Sequence, residues 1–317
     1  MDPILVEYDA GITCVDAMYV QPGHACCYLM VENGRAAFID TGTGHSVPYL
    51  LETIKLKNLN VEDVDYVIPT HVHLDHAGGA GLLMSKLPNA KLVIHPRGAP
   101  HMIDPEKLVA GTMAVYGEEK FKQYYGEIIP IEEQRVTVVE DEHEIQLANR
   151  TLKFLDAPGH ARHHFCVYDK TSNGFFTGDT FGLSYKELDN EDGAFILPTT
   201  TPVQFEPDAW QNTLTRMLDY QPKNMYLTHF GCVTEIDRLT AQLREGIDEY
   251  ANIAKSCMNS ENREQKIKEK ITENLKTKLR ERYPENEVVT FIELFKSDID
   301  LNAAGLEVWV KRLDKVA

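Results

Sequence analysis

The sequence predicts an α/β sandwich with a helical C-terminal appendage, on three observations. Two strand-rich halves each carry stretches of helical periodicity. Histidines and acids gather where strands end. From about residue 234 the chain is charge-rich and helical to its end. A chain of 317 residues can bury one sizeable core with a smaller appendage. We therefore expect a catalytic domain over 1–233 and a helical extension over 234–317.

Each element has its own signal. HACCYLMVENGRAAFIDTGTG holds an apolar run, an Asn33-Gly34 hairpin turn, a second run and a glycine-rich loop opening at Asp40. SVPYLLETIKLKN has apolar residues at helical spacing. DVDYVIPTH is a short β-rich run that ends where the histidines begin, GGAGLLMSKLP reads as a helix, and KLVIHP as a buried strand. Residues 97–130 break the strand rhythm and look helical, carrying Tyr116, Tyr124 and Tyr125. Strands resume at RVTVVE, EIQLANRTLKFLDAP, FCVYDK and GFFTGD. An irregular stretch follows over 181–205, then a helix in PDAWQNTLTRMLDYQ and a last short strand in NMYLTHFG.

Charge narrows the partners. With 49 acidic and 32 basic residues the formal net charge is −17, which disfavours a nucleic acid or an anionic membrane as partner. An anionic substrate would need a local positive focus, such as a metal ion. MDPILVEYDA lacks the basic-then-apolar pattern of a secretory signal, and no apolar run approaches the ~20 residues of a membrane span. The six cysteines form no C-x-x-C pair, so reduced, mostly buried thiols and a cytoplasmic location are expected. The partner expected is a small-molecule substrate; a homodimer is compatible with the sequence but not required by it.

The densest chemistry lies in PTHVHLDHAGGAG, residues 69–81, with His71, His73, Asp75 and His76 inside six positions. His160 in DAPGHARHH, Asp179 in FFTGDT and His229 in YLTHFG also follow β-rich runs, where loops can present side chains to one cleft. Imidazole and carboxylate suit Zn, Fe or Mn, and seven such groups, one bridging, supply two ligand shells of about three. Burying three imidazoles and a carboxylate without a cation would strand several polar groups. Alternation puts His71 and His73 on one side of an extended segment, with Asp75 and His76 turned toward a second ion.

THVHLDH matches the H-x-H-x-D-H signature of the metallo-β-lactamase fold superfamily, and FIDTG, APGH, FTGD and a late TH extend the resemblance over roughly residues 4–235. The resemblance implies an αββα sandwich with two metals in the cleft between the sheets. His71, His73 and His160 would hold the first metal; Asp75, His76 and His229 the second; Asp179 would bridge. By the same likeness, Gly78 and Gly79 would let the next helix approach the site. The C-terminal helices stand where glyoxalase II carries its substrate-binding helices. Asp40 is expected to orient ligand imidazoles or cap a turn, and His164 to sit behind the ligands. His24, His45, His95, His101, His143 and His163 are expected to play no part, and the three tyrosines to pack a helix or wall a pocket.

The reaction expected is hydrolysis of a small-molecule ester-type bond, thioester or lactone first, by a hydroxide activated between two divalent ions, with Asp75 catalytic. The metal expected is zinc, with Fe, mixed Fe/Zn or Mn as alternatives. No G-x-S-x-G is present for a serine nucleophile. The alternative function is a non-haem iron protein of the same fold, resembling persulfide dioxygenases or diiron oxygen-binding or oxygen-reducing proteins. It rests on the short interval between His160 and Asp179. Against it, His73 stands where the flavodiiron branch has Glu, and the arginine-containing motif of persulfide dioxygenases is missing from FGLSYKELDN. The stretches 97–130 and 181–205 are expected to set specificity.

Overall fold

Alternating side chains on the strands explain the layering. In Arg35–Ile39, Ala36 and Phe38 face one apolar cluster while Ala37 and Ile39 face another. In Phe165–Asp169, Phe165 and Val167 face that second cluster while Cys166 faces a third. Both faces of both sheets are thus apolar, and the chain buries them by stacking sheet on sheet and flanking the pair with helices. The structure, a computed structural model, describes residues 2–200 and 203–315. Met1, Thr201, Pro202, Val316 and Ala317, which the expected domain spans and the 181–205 stretch include, lie outside the described residues.

Among the described residues, the first sheet has seven strands in sequence order. They are β1 (Leu5–Tyr8), β2 (Ile12–Asp16), β3 (Cys26–Glu32), β4 (Arg35–Ile39), β5 (Val64–Ile68), β6 (Lys91–Ile94) and β7 (Val136–Val138). β1 to β4 pair antiparallel and β4 to β7 parallel. The β3–β4 turn is the Asn33-Gly34 hairpin read from the sequence, both residues at positive φ. The second sheet has six strands, β8 (Glu144–Leu147), β9 (Arg150–Asp156), β10 (Phe165–Asp169), β11 (Gly174–Gly178), β12 (Asn224–Leu227) and β13 (Gly231–Val233). Only β11 and β12 pair in parallel there. The run EIQLANRTLKFLDAP divides into β8 and β9 at Ala148, whose φ is +51°.

Helices α1 (Val47–Leu56), α2 (Leu74–Ala77) and α3 (Ala80–Met84) follow β4 and β5, and Leu50, Ile54 and Leu83 cover the outer face of the first sheet. Helices α4 (Ala99–Ile103), α5 (Glu106–Tyr116) and α6 (Glu118–Tyr125) fill the 97–130 stretch, as its broken rhythm predicts. The outer face of the second sheet is covered by α7 (Pro207–Leu218) and α8 (Ile236–Ser256). Helices α9 (Arg263–Arg280), α10 (Glu285–Leu294) and α11 (Lys296–Asp314) complete the helical C-terminal region. Ile267, Ile271, Leu275 and Leu306 from these last helices share one apolar cluster with Phe175 and Met225 of the sheet. No described helix is long and apolar enough to cross a membrane. All six cysteines are free, five of them buried.

The parallel pairs set where the site-bearing loops emerge. β4 and β5 end in register at Ile39↔Ile68, and β11 and β12 at Gly178↔Leu227. Loops leaving the C-terminal ends of neighbouring parallel strands emerge side by side, which is where α/β sheets place ligands. Asp40 and His71 therefore leave one sheet, and Asp179 and His229 the other, at the same end of the sandwich.

Candidate metal centre

Seven side chains meet at that end in two groups. His71, His73, His160 and Asp179 form one; Asp75, His76 and His229 form the other; the potential ligand atoms within each lie within 4.8 Å of one another. In the first, His71 Nε2 is 2.8 Å from His73 Nδ1, which is 3.1 Å from His160 Nε2. In the second, His229 Nε2 is 3.4 Å and His76 Nε2 3.7 Å from Asp75 Oδ2. Asp179 straddles the two. Its Oδ2 lies 3.3 Å from His160 Nε2, and its Oδ1 lies 3.1 Å from His76 Nε2 and 3.5 Å from His229 Nε2.

Local structure explains the aim of each group. His73 stands just ahead of α2 in extended backbone (ψ 145°), so the chain passes from a strand-like segment into a helical turn between His73 and Asp75. That change sends His71 and His73 to one cluster and Asp75 and His76 to the other. Gly79 is required by close approach: a Cβ there would lie 2.6 Å from Thr43 O and 2.7 Å from Thr41 O, in the loop after β4. Gly178, at φ +48°, is required likewise, because a Cβ would lie 2.5 Å from both His164 Nε2 and Thr70 Oγ1.

A set of acceptors fixes the rings. His76 Nδ1–H faces Asp40 Oδ2 at 2.8 Å, His160 Nδ1 faces Thr199 O at 2.8 Å, and His229 Nδ1 faces His24 O at 2.6 Å. With Nδ1 donating, Nε2 presents its lone pair inward. Asp40 also accepts from Thr70 N–H at 2.7 Å and Thr228 Oγ1–H at 2.7 Å, tying the two sheets together behind the site. It holds a left-handed φ of +57°, which an aspartate tolerates. The expectation that Asp40 orients an imidazole holds. His164 stands behind the centre: its Nε2 accepts the Asp179 N–H at 3.2 Å and its ring stacks 4.7 Å from that of His71.

The electrostatics of the two groups differ. Burial and the neighbouring His160 hold His73 down to a pKa of about 3, and burial with His76 holds His71 well below the usual imidazole range. These rings stay neutral, as metal ligands must. In the second group burial opposes charge on His229, but Asp179 and Asp75 outweigh it and raise the pKa to about 9. Burial would raise Asp75, yet His76 and His229 bring it down to about 2. The second group thus attracts positive charge, and a cation would satisfy it. The donor set fits divalent ions on a further count: the buried His76 Nε2 and Asp179 Oδ1 face each other at 3.1 Å without a well-aligned hydrogen bond between them or to any other group. Ligand nitrogens on a tetrahedral zinc stand roughly 3.3 Å apart, close to the spacings above.

A cavity of about 390 Å³ opens onto both groups, with Asp75, Asp179, His73 and His229 in its wall. Tyr116, Tyr124 and Tyr125 line it, joined by Tyr19 and Tyr185, and the Tyr19 and Tyr125 hydroxyls meet at 3.0 Å. Both stretches expected to set specificity contribute, through Leu108 and Val115 from one and Leu183 and Thr199 from the other. His24, His101 and His163, set aside in the sequence, line it too, whereas His45, His95 and His143 do not. His24 stacks on Tyr185 at 5.1 Å and lends its carbonyl to His229. Sequence reasoning passed over Tyr185 and Asp298 of α11 as well. An acid in the first turn of a helix reads as a partner of the helix dipole, so Asp298 carried no local signal.

Comparison with known proteins agrees with this architecture. The Metallo-beta-lactamase fold-containing protein ST1585 of Sulfurisphaera tokodaii is 26% identical over 216 residues, 67% of this chain and 75% of that protein. Its crystal structure superposes with a TM-score of 0.64 at 22% identity, covering 94% of this chain and 99% of that one. The acyl-coenzyme A thioesterase MBLAC2 of Bos taurus is 27% identical over 191 residues, 53% of this chain and 63% of that protein. The Flv1 flavodiiron core from Synechocystis sp. PCC6803 shares the fold at a TM-score of 0.56 and 18% identity, over 80% of this chain and 62% of that one. The metallo-beta-lactamase superfamily model matches residues 20–229, from the loop ahead of β3 to the last histidine of the second group, and this chain belongs to that superfamily.

Proposed function

We propose that this protein is a dinuclear metallo-hydrolase of small-molecule ester-type bonds, thioesters or lactones first. The observation that carries the proposal is the Asp179 carboxylate, with one oxygen toward each of two imidazole-bearing groups. His71, His73 and His160 would hold one ion, Asp75, His76 and His229 the other, and Asp179 would bridge. When bound, two divalent ions supply Lewis acidity and bring the pKa of water from 15.7 to roughly 7. Asp75, ionised and in the cavity wall, orients the attacking water and accepts its proton. Asp40, the Thr199 carbonyl and the His24 carbonyl keep the rings aimed inward. The tyrosine-lined wall excludes bulk water and receives the apolar part of a small substrate. The thioesterase named among the relatives supports the thioester choice.

The test is metal analysis and an optical spectrum of freshly purified protein, then a panel of thioesters, lactones, phosphodiesters and β-lactams run at known metal content. We expect two colourless zinc ions per chain, and thioester or lactone turnover that chelation abolishes and zinc restores. Iron with oxygen uptake and no ester turnover would replace this reading with the non-haem iron one.

A further inference from the structure

The cavity wall contains a carboxylate outside the seven converging groups. Asp298 lies in the first turn of α11, beyond the span matched by the family model, and helps to line the cavity with Ser297 and Leu301 of the same helix. Its Oδ1 accepts the Tyr185 hydroxyl at 3.2 Å, while its Oδ2 is buried with no hydrogen-bond partner. An ionised carboxylate offers about four acceptor sites, and leaving a buried one unmet is costly. The terminal torsion of an aspartate is broad and roughly two-fold, so a small rotation turns either oxygen toward the cavity.

The surroundings say what would meet it. Among the described residues, no salt bridge involves Asp298, and Lys107 is the one lysine or arginine lining the cavity, itself exposed. Burial raises the Asp298 carboxyl to about 6, against an opposing effect of His229, so at neutral pH the group is mostly ionised and calls for a positive partner. Leu108, Val115, Leu183 and Leu301, with Tyr116, Tyr124 and Tyr185, give the wall a large apolar and aromatic share. At the mouth, Val20, Val115 and Val203 are 53%, 53% and 54% exposed, an apolar rim that continues the lining outward. Besides the exposed Lys107, no lysine or arginine among the described residues lines the cavity to receive an anionic head. A cationic head on an apolar body would find both of its complements.

We propose that Asp298 is the specificity residue of this site, accepting a hydrogen bond from an ammonium or guanidinium group at one end of an apolar substrate. The bond to be cleaved then lies at the paired His/Asp groups. The assignment of that bond rests on the hydrolase reading; the recognition by Asp298 does not.

The experiment is calorimetric titration of the metal-containing protein at pH 7.5 with two matched probes, 3-phenylpropylguanidinium and 3-phenylpropyl methyl ether. The wild type should bind the guanidinium roughly ten-fold or more tightly than the ether, the scale of one hydrogen bond to a charged group. In Asp298→Asn the advantage should fall to about two-fold, with metal content unchanged, and in Asp298→Glu part of it should remain. Equal binding of both probes by the wild type, or an advantage that survives in Asp298→Asn, overturns the proposal. The wild-type comparison decides even if a variant does not fold. Hydrolysis of S-ethyl thiohexanoate against its 6-guanidino counterpart separates the two readings. Guanidinium preference in binding without turnover of either thioester keeps the role of Asp298 and removes the hydrolase reading. Turnover of both with equal kcat/KM and no binding preference keeps the hydrolase and overturns Asp298.

Discussion

His164 accepts the backbone N–H of Asp179 through Nε2 at 3.2 Å, and its Nδ1 lies 3.3 Å from Thr180 Oγ1. Because a backbone N–H can only donate, Nε2 is the acceptor and Nδ1 carries the ring proton toward Thr180. His164 therefore holds the segment bearing Asp179, the proposed bridge, without joining either candidate group. We expect His164→Ala to weaken metal binding by about 10–100-fold while His160→Ala loses an ion outright. Metal content after dialysis at graded zinc concentrations checks this; equal loss from both variants contradicts the assignment.

Asp75 has a double role in the proposed site, as a ligand and as proton acceptor. Asp75→Ala should cut kcat by about 10²–10⁴-fold, the range of general acid–base catalysis. At least one ion should remain, held by the His71, His73 and His160 group. Parallel measurement of turnover and metal stoichiometry tests the role, and unchanged turnover would contradict it.

Gly178 brings a backbone-level constraint to the FTGD motif. Alanine there would meet a left-handed φ and sit 2.5 Å from His164 Nε2 and Thr70 Oγ1. Strain of about 1–2 kcal/mol and overpacking of about 1–3 kcal/mol predict a total loss of about 2–5 kcal/mol. Denaturant unfolding of Gly178→Ala should show a lower midpoint at unchanged slope, together with weakened metal binding. Wild-type stability would refute the account.

Arg150 and Asp169 form a buried ion pair far along the second sheet from the site, with Arg150 Nε–H donating to Asp169 Oδ1 at 2.9 Å. Asp169 also accepts the backbone N–H of Ser172 at 2.9 Å in the β10–β11 turn. Burial raises its carboxyl, but the Arg150 hydrogen bonds outweigh burial and hold it below the usual range. A depressed folded pKa means that this stabilisation is present above the unfolded value of about 3.9 and lost as pH falls through the folded value. Asp169→Asn should cost about 3–5 kcal/mol at pH 7, because it leaves a buried guanidinium uncompensated. The deficit relative to wild type should shrink in unfolding curves taken below pH 4. A deficit that does not change with pH would rule out the charge as its source.

The chain's local chemistry carried much of this structure. A hairpin needs only Asn33-Gly34 and its flanking apolar runs, and a candidate metal-binding cluster announces itself in the crowding of His71, His73, Asp75 and His76, so both were legible in short windows. Positions 160, 179 and 229 were legible as candidate ligands through motif order, and the structure brings them to the same place. The short strands β1 and β2, and β13 beyond the last histidine, carried too little periodicity to be marked one by one.

The sequence by itself determined the sandwich class, the helical C-terminal region and the set of groups able to bind metal, because each follows from periodicity or from residue types close together. Only the tertiary structure decided which side chains face that centre. Tyr185, His24 and Asp298 meet across gaps of more than a hundred residues, through a ring stack and one hydrogen bond. No pattern along the chain encodes such a meeting: it exists only once apolar burial has closed α11 against α8 and α9 and brought its first turn to the cavity.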